Sequence, residues 1–184
     1  MKRTATAVWN GSLKEGKGAL NAPSGVLKDT PYSFASRFES ANQTNPEELI
    51  AAAHAGCFVM ALSGILVGAG FTPDSLEATA EVSLENVADK GGWTVTKSHL
   101  VLNGKVPGID DAKFQELAEK AKANCPISRL LKADLSLQAN LAQVSRIRDL
   151  FSLLKDVVTP ALRPHLHDPL GRAHRLYHAL ALLD

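Results

Sequence analysis

The sequence predicts an α+β fold, and three observations carry that expectation. Alternating, strand-like segments occur near both ends of residues 1–141, and a long uncharged helix lies between them. No strand–helix–strand unit repeats as a parallel α/β sheet would require. The 184 residues suffice for one domain, or for one domain with an appendage. With 45% hydrophobic and 21% charged residues the chain can bury a core, which excludes collagen-like and wholly disordered classes. A formal net charge of +1 supplies no field that draws nucleic acid or an anionic membrane, so neither is expected as a partner.

Thr4 to Trp9 mixes β-branched and aromatic residues, and the glycines of GSLKEGKG behind it predict the turn of a first hairpin. Tyr32 to Phe38 alternates with period two and predicts a strand, with Tyr32, Phe34 and Ser36 on one face and Arg37 projecting from the other. Asn45-Pro46-Glu47-Glu48 predicts a helix start. Asn45 can cap, Pro46 suits the first helical position, and the glutamates favour the positive end of the helix dipole. The helix should run to about Val67, where Gly68, Gly70 and Pro73 stop it.

Leu49 to Gly70 carries no formal charge and approaches the roughly 20 residues that span a bilayer. Glu47, Glu48 and Asp74 flank it, no Lys or Arg stands close to either end, and small residues outnumber large ones, so a buried helix is expected instead. The N-terminal residues lack the apolar run of a secretory signal, and a cytoplasmic location is expected.

Leu76 to Asn86 alternates again, Asp89-Lys90-Gly91-Gly92 supplies a turn, and Trp93 to Leu102 is the partner strand. After Pro107-Gly108, DDAKFQELAEKAKA forms an amphipathic helix with Phe114, Leu117 and Ala121 on one side. Pro126 ends it and opens a second short helix, ISRLLK, which puts Cys125 at a helix start. Asp134 to Leu141 alternates and closes the fold. Residues 142–184 differ in composition, holding His165, His167, His174 and His178 of the six histidines. There Val144 to Val158 has helical spacing and Leu176 to Leu183 is apolar. The expected domains are 1–141 and an extension at 142–184.

The chain has two cysteines, Cys57 and Cys125, too far apart for a C-x-x-C motif. His54 and Cys57 could offer two metal ligands from one helical face, but nothing near them in sequence completes a site. Both cysteines could serve simply as small buried hydrophobes. Two features argue for chemistry. Cys125 sits where N–H groups at a helix start favour a thiolate, whereas Cys57 lies in an apolar segment and needs a cation to ionise. Arg37 is the suggestive cation, although its position also suits a surface arginine. Glu47 has a sufficient structural role in the first helical turn. His54 fits a packed, hydrogen-bonded histidine better than a catalytic one.

The segments SGVLKDTPYSFASRFE, TNPEELIAAAHAGCFVMALS, AGFTP, VPGID and KAKANCPISRLLKA resemble the OsmC/Ohr family of hydroperoxide-reducing thiol peroxidases, and more the OsmC than the Ohr branch. The resemblance covers residues 2–141 in order, and residues 142–184 have no counterpart in it. It implies an OsmC-like fold, with antiparallel sheets wrapped around long central helices in an intertwined homodimer. It also implies that Cys57 is the peroxidatic cysteine, Cys125 the resolving cysteine, and Arg37 with Glu47 the activating pair.

The implied reaction reduces an organic hydroperoxide, and hydrogen peroxide more weakly, in oxidative or osmotic stress defence. The Cys57 thiolate takes the terminal oxygen, Cys125 condenses with the resulting sulfenic acid, and an external dithiol reopens the disulfide. No metal, haem or flavin is required. The competing reading is a non-enzymatic protein of the same fold that buries a small apolar ligand beside Cys57. A cysteine hydrolase with His54 as base is weaker, because no orienting acid or oxyanion hole is visible.

Overall fold

The computed structural model describes residues 1–39 and 42–142. The expected helix at 144–158 and the apolar segment at 176–183 lie outside the described residues. The first sheet is an antiparallel meander of β1 (Thr6–Asn10), β2 (Lys17–Asn21) and β3 (Thr30–Ser33). The GSLKEGKG turn joins β1 to β2, with Gly11 at φ 99° in the left-handed region.

The segment expected as a strand over Tyr32–Phe38 changes structure at Ser33. Strand β3 ends there and a short helix, α1 (Phe34–Phe38), begins. Ser33 caps it: its hydroxyl accepts from the Ser36 N–H at 3.2 Å, while the Ser36 hydroxyl accepts from the Ser33 N–H at 3.0 Å. The aromatic spacing fits both periods, and the reciprocal cap selects the helix. Phe34 and Phe38 then stack one turn apart, with ring centroids at 4.8 Å. Arg37 therefore projects from a helix and not from a strand end.

Helix α2 (Pro46–Gly68) starts where expected, with the Asn45 side-chain oxygen accepting the Glu48 N–H at 2.8 Å. It is long and apolar enough to cross a membrane by length and composition alone. One stripe of it, His54, Phe58, Leu62 and Leu66, is buried in the protein core.

The second sheet is ordered β4-β5-β6. Strands β4 (Ser75–Val87) and β5 (Gly92–Lys105) form a long antiparallel hairpin with a bulge at Ser83/Leu84. Helices α3 (Asp111–Asn124) and α4 (Pro126–Leu130) then cross over, and β6 (Asp134–Leu141) lies parallel to β5. The expectation of antiparallel sheets thus holds for β1–β3 and β4–β5, and β6 departs from it. The helical crossover is what permits a parallel pairing, since a tight turn cannot reverse the chain twice.

Alternate residues of β5, namely Ser98, Leu100, Leu102 and Gly104, are buried beneath α2 and α3, which contributes Phe114, Leu117, Ala118 and Ala121. At Gly104 a side chain would run into the Phe114 ring, so the missing Cβ is what lets α3 pack onto the sheet.

Candidate active site

Two pairs of side chains expected from sequence come together. The first is Arg37 and Glu47. Arg37 Nε donates to both Glu47 carboxylate oxygens at 3.2 Å, and Nη2 donates to Oε1 at 2.8 Å. This fork fixes the guanidinium plane as well as its charge. The elements that carry it are also tied to each other directly. Asn45 caps α2 with its oxygen and uses its Nδ2 to donate to the Ser36 carbonyl of α1 at 3.1 Å. Arg37 also lies 5.3 Å from the Phe38 ring centroid, and Phe38 in turn packs on Trp93 at 5.0 Å.

The second pair is Cys57, half-buried on α2, and Cys125, fully buried at the junction of α3 and α4. The Cys125 N–H donates to the Ala121 carbonyl and its own carbonyl accepts from the Arg129 N–H, so the residue closes one helix and opens the next. The two thiols are free and near enough for each to shift the other's pKa.

The two pairs do not meet within one protomer. Helix α2 is continuous, so the ten residues from Glu47 to Cys57 span about 15 Å along its axis. Arg37 and Glu47 line a cleft with Asn45, Glu48, Ala51, Val82 and Leu84, and neither cysteine borders it.

His54 is packed and hydrogen-bonded, as its sequence setting suggested. Its Nδ1 lies 2.7 Å from Ser98 Oγ and its Nε2 lies 2.8 Å from Ser128 Oγ, all three residues being buried. Ser98 and Ser128 were not legible as partners, since they come from β5 and α4 and no spacing connects them to His54. Among the described residues no cluster of three or more His, Cys, Asp or Glu side chains could hold a metal ion.

A family model described as OsmC-like protein matches residues 39–140. The chain is 51% identical over 135 residues to peroxiredoxin OsmC of Escherichia coli (strain K12), covering 73% of this chain and 93% of that relative. This chain belongs to the OsmC-like family. It is also 32% identical over 124 residues to the organic hydroperoxide resistance protein OhrB of Bacillus subtilis (strain 168), covering 67% of this chain and 88% of that one. The crystal structure of OhrB from Bacillus subtilis matches with a TM-score of 0.57 at 29% identity, covering 76% of this chain and 98% of that chain.

In this OsmC-like protein the thiols are electrostatically unequal. Burial pushes the Cys57 thiol up, its hydrogen bond with Cys125 pushes it further, and the Ile127 N–H offsets only part of this. Burial also acts upward on Cys125. There the Ser128 N–H, the Cys57 thiol, the Ser128 hydroxyl and the Ile127 N–H together outweigh it, and the net direction is down. Within one protomer, therefore, Cys125 gives up its proton more readily than Cys57. An attacking Cys57 thiolate calls for a positive charge, and among the described residues of its own protomer none acts on it.

Proposed function

We propose that this chain is a thiol-dependent peroxidase that reduces organic hydroperoxides, and hydrogen peroxide more weakly, in oxidative or osmotic stress defence. The observation that carries the reading is the meeting of Cys57 on α2 with Cys125 at the α3–α4 junction, the first partly buried and the second fully buried. Its relatives named peroxiredoxin OsmC and organic hydroperoxide resistance protein belong to the same chemical class.

In the proposed reaction the Cys57 thiolate attacks the terminal peroxide oxygen. The O–O bond breaks, an S–O bond forms, and the alkoxide takes a proton to leave as the alcohol. The Cys125 thiolate then attacks the sulfenic sulfur, an S–S bond forms, and hydroxide leaves as water once protonated. An external dithiol supplies the two electrons that return both thiols. A cytoplasmic location is part of this proposal, because a thiol-reducing compartment sustains that last step.

Arg37 is the cation we assign to the Cys57 thiolate and to the departing oxygen, with Glu47 holding the guanidinium in plane. Because α2 separates Glu47 from Cys57, the proposal places the Arg37–Glu47 pair of one subunit beside Cys57 of the other in a homodimer. The exposed side of α2 supports this arrangement. Ala53, Gly56, Met60, Gly64 and Val67 recur at helical spacing, carry no polar group, and are uncovered within the protomer. Residues 1–141 are the proposed peroxidase domain and residues 142–184 the extension.

Stopped-flow titration of the reduced protein with an alkyl hydroperoxide and with hydrogen peroxide tests the reading. Rapid loss of one thiol pair per peroxide supports it. Unchanged thiols would instead favour a protein that binds a small apolar ligand beside Cys57.

A further inference from the structure

The short helix that carries Arg37 is held from two directions. Five residues make too little helix to be stable alone, so α1 takes its orientation from what it packs against. On one side it is tied to the start of α2. The Ser36 hydroxyl lies 2.9 Å from the Thr44 carbonyl oxygen, and Asn45 Nδ2 donates to the Ser36 carbonyl at 3.1 Å. On the other side stands Trp93, near the start of β5 at the turn end of the β4–β5 hairpin, where it pairs with Asn86.

The contact with Trp93 runs through Phe38. The Phe38 ring packs on Phe34 and on Trp93, with centroids 4.8 Å and 5.0 Å away and rings tilted by 38° and 53°. Tilted aromatic pairs at this separation prefer a definite geometry and do more than exclude water. The Arg37 guanidinium carbon lies 5.3 Å from the centroid of the same Phe38 ring. The hairpin also walls the cleft around the ion pair. Val82 and Leu84 line it beside Arg37 and Glu47, next to the bulge where strand twist increases. Trp93 itself is 57% exposed, so the core does not require a tryptophan there.

We propose that Trp93 is a positioning residue for Arg37: by fixing the Phe38 ring it sets the angle of α1, and with it the direction in which the guanidinium is presented to Cys57. This rests on the activating role given to Arg37 above. The Glu47 fork fixes the guanidinium plane relative to α2. Several rotatable bonds separate that plane from the Arg37 backbone, so the fork alone leaves α1 free to roll. The Phe38–Trp93 contact acts at the backbone end, one residue along the chain. Without the indole, Arg37 stays charged and paired but is presented over a wider range of directions.

The test uses the full chain with Cys125→Ser, in which Cys57 is the remaining thiol. The pH dependence of iodoacetamide alkylation reads the Cys57 thiolate without any peroxide. Arg37→Ala should slow alkylation at neutral pH about tenfold and raise the midpoint of the profile, because an opposite charge is lost. Trp93→Ala should act in the same direction, about fivefold in rate, and Trp93→Phe should stay within about twofold of the parent. Adding Trp93→Ala to Arg37→Ala should change nothing further, since no guanidinium is left to position. A tryptophan that merely supports the fold would act equally in both backgrounds. A parent profile in Trp93→Ala, an effect of Trp93→Ala that persists without Arg37, or Trp93→Phe as slow as Trp93→Ala would overturn the assignment while the role of Arg37 stands. A parent profile in Arg37→Ala would overturn both. Peroxide consumption by the chain with both cysteines is measured separately and bears only on the peroxidase reading.

Discussion

Arg37 and Glu47 face each other through two guanidinium nitrogens and both carboxylate oxygens, at 2.8 to 3.2 Å, with the Glu47 side chain only 13% exposed. The same pair stands about 15 Å along α2 from Cys57. A shared site follows from that separation if the arginine acts on the sulfur. Cys57→Ser and Arg37→Ala homodimers should each be inactive, and subunits mixed after dissociation should recover activity, since one site per heterodimer is then intact. No recovery in verified heterodimers would show that each site is built within one subunit.

The cysteines should separate by step. Cys57→Ser should consume no peroxide. Cys125→Ser should react once and stall as sulfenic or over-oxidised Cys57, because the resolving thiol acts only after oxygen transfer. Mass spectrometry of the stalled protein and the initial burst check both outcomes. A wild-type rate in Cys57→Ser would remove the peroxidatic assignment.

His54 should make stability fall with acid. Burial lowers its folded pKa, so below the unfolded value near 6.5 the unfolded chain binds the extra proton and the folded one does not. The contribution is complete above that pH and is lost as pH falls, by up to about 1.4 kcal/mol per pH unit until the folded pKa is reached. Urea unfolding of wild type and His54→Gln between pH 7.5 and pH 5 isolates it, since the other histidines are common to both. Parallel pH profiles would contradict a buried neutral imidazole.

Strand β6 ends at Leu141, and the Ala142 N–H still donates to the Gly104 carbonyl at 2.8 Å. A chain ending at Ala142 should therefore fold and keep peroxidase activity within about twofold, because all six described strands and every proposed site residue precede that point. Gel filtration and peroxide consumption measure this. A truncated chain that fails to fold would make residues 143–184 part of the core.

The local signals alone settled most of the elements. The Asn45-Pro46-Glu47-Glu48 start, the apolar run behind it, the alternation on each side of Gly91-Gly92 and the Cys125-Pro126 break each dictate structure through neighbouring residues, and the chain follows them. The motifs around Cys57 and Cys125 likewise placed the chain in its family before any contact was known. Local patterning failed at Phe34–Phe38, where period two and period four both fit the aromatics and a two-serine cap decided between them. What only tertiary structure decided are relationships between distant segments. These include the parallel run of β6 beside β5, the contact of two thiols 68 positions apart, and the two serines that hold His54. Residue type records what a side chain can donate or accept, but the partner is chosen by where α2, β5 and α4 cross, and that crossing is fixed by core packing around Gly104 and Phe114.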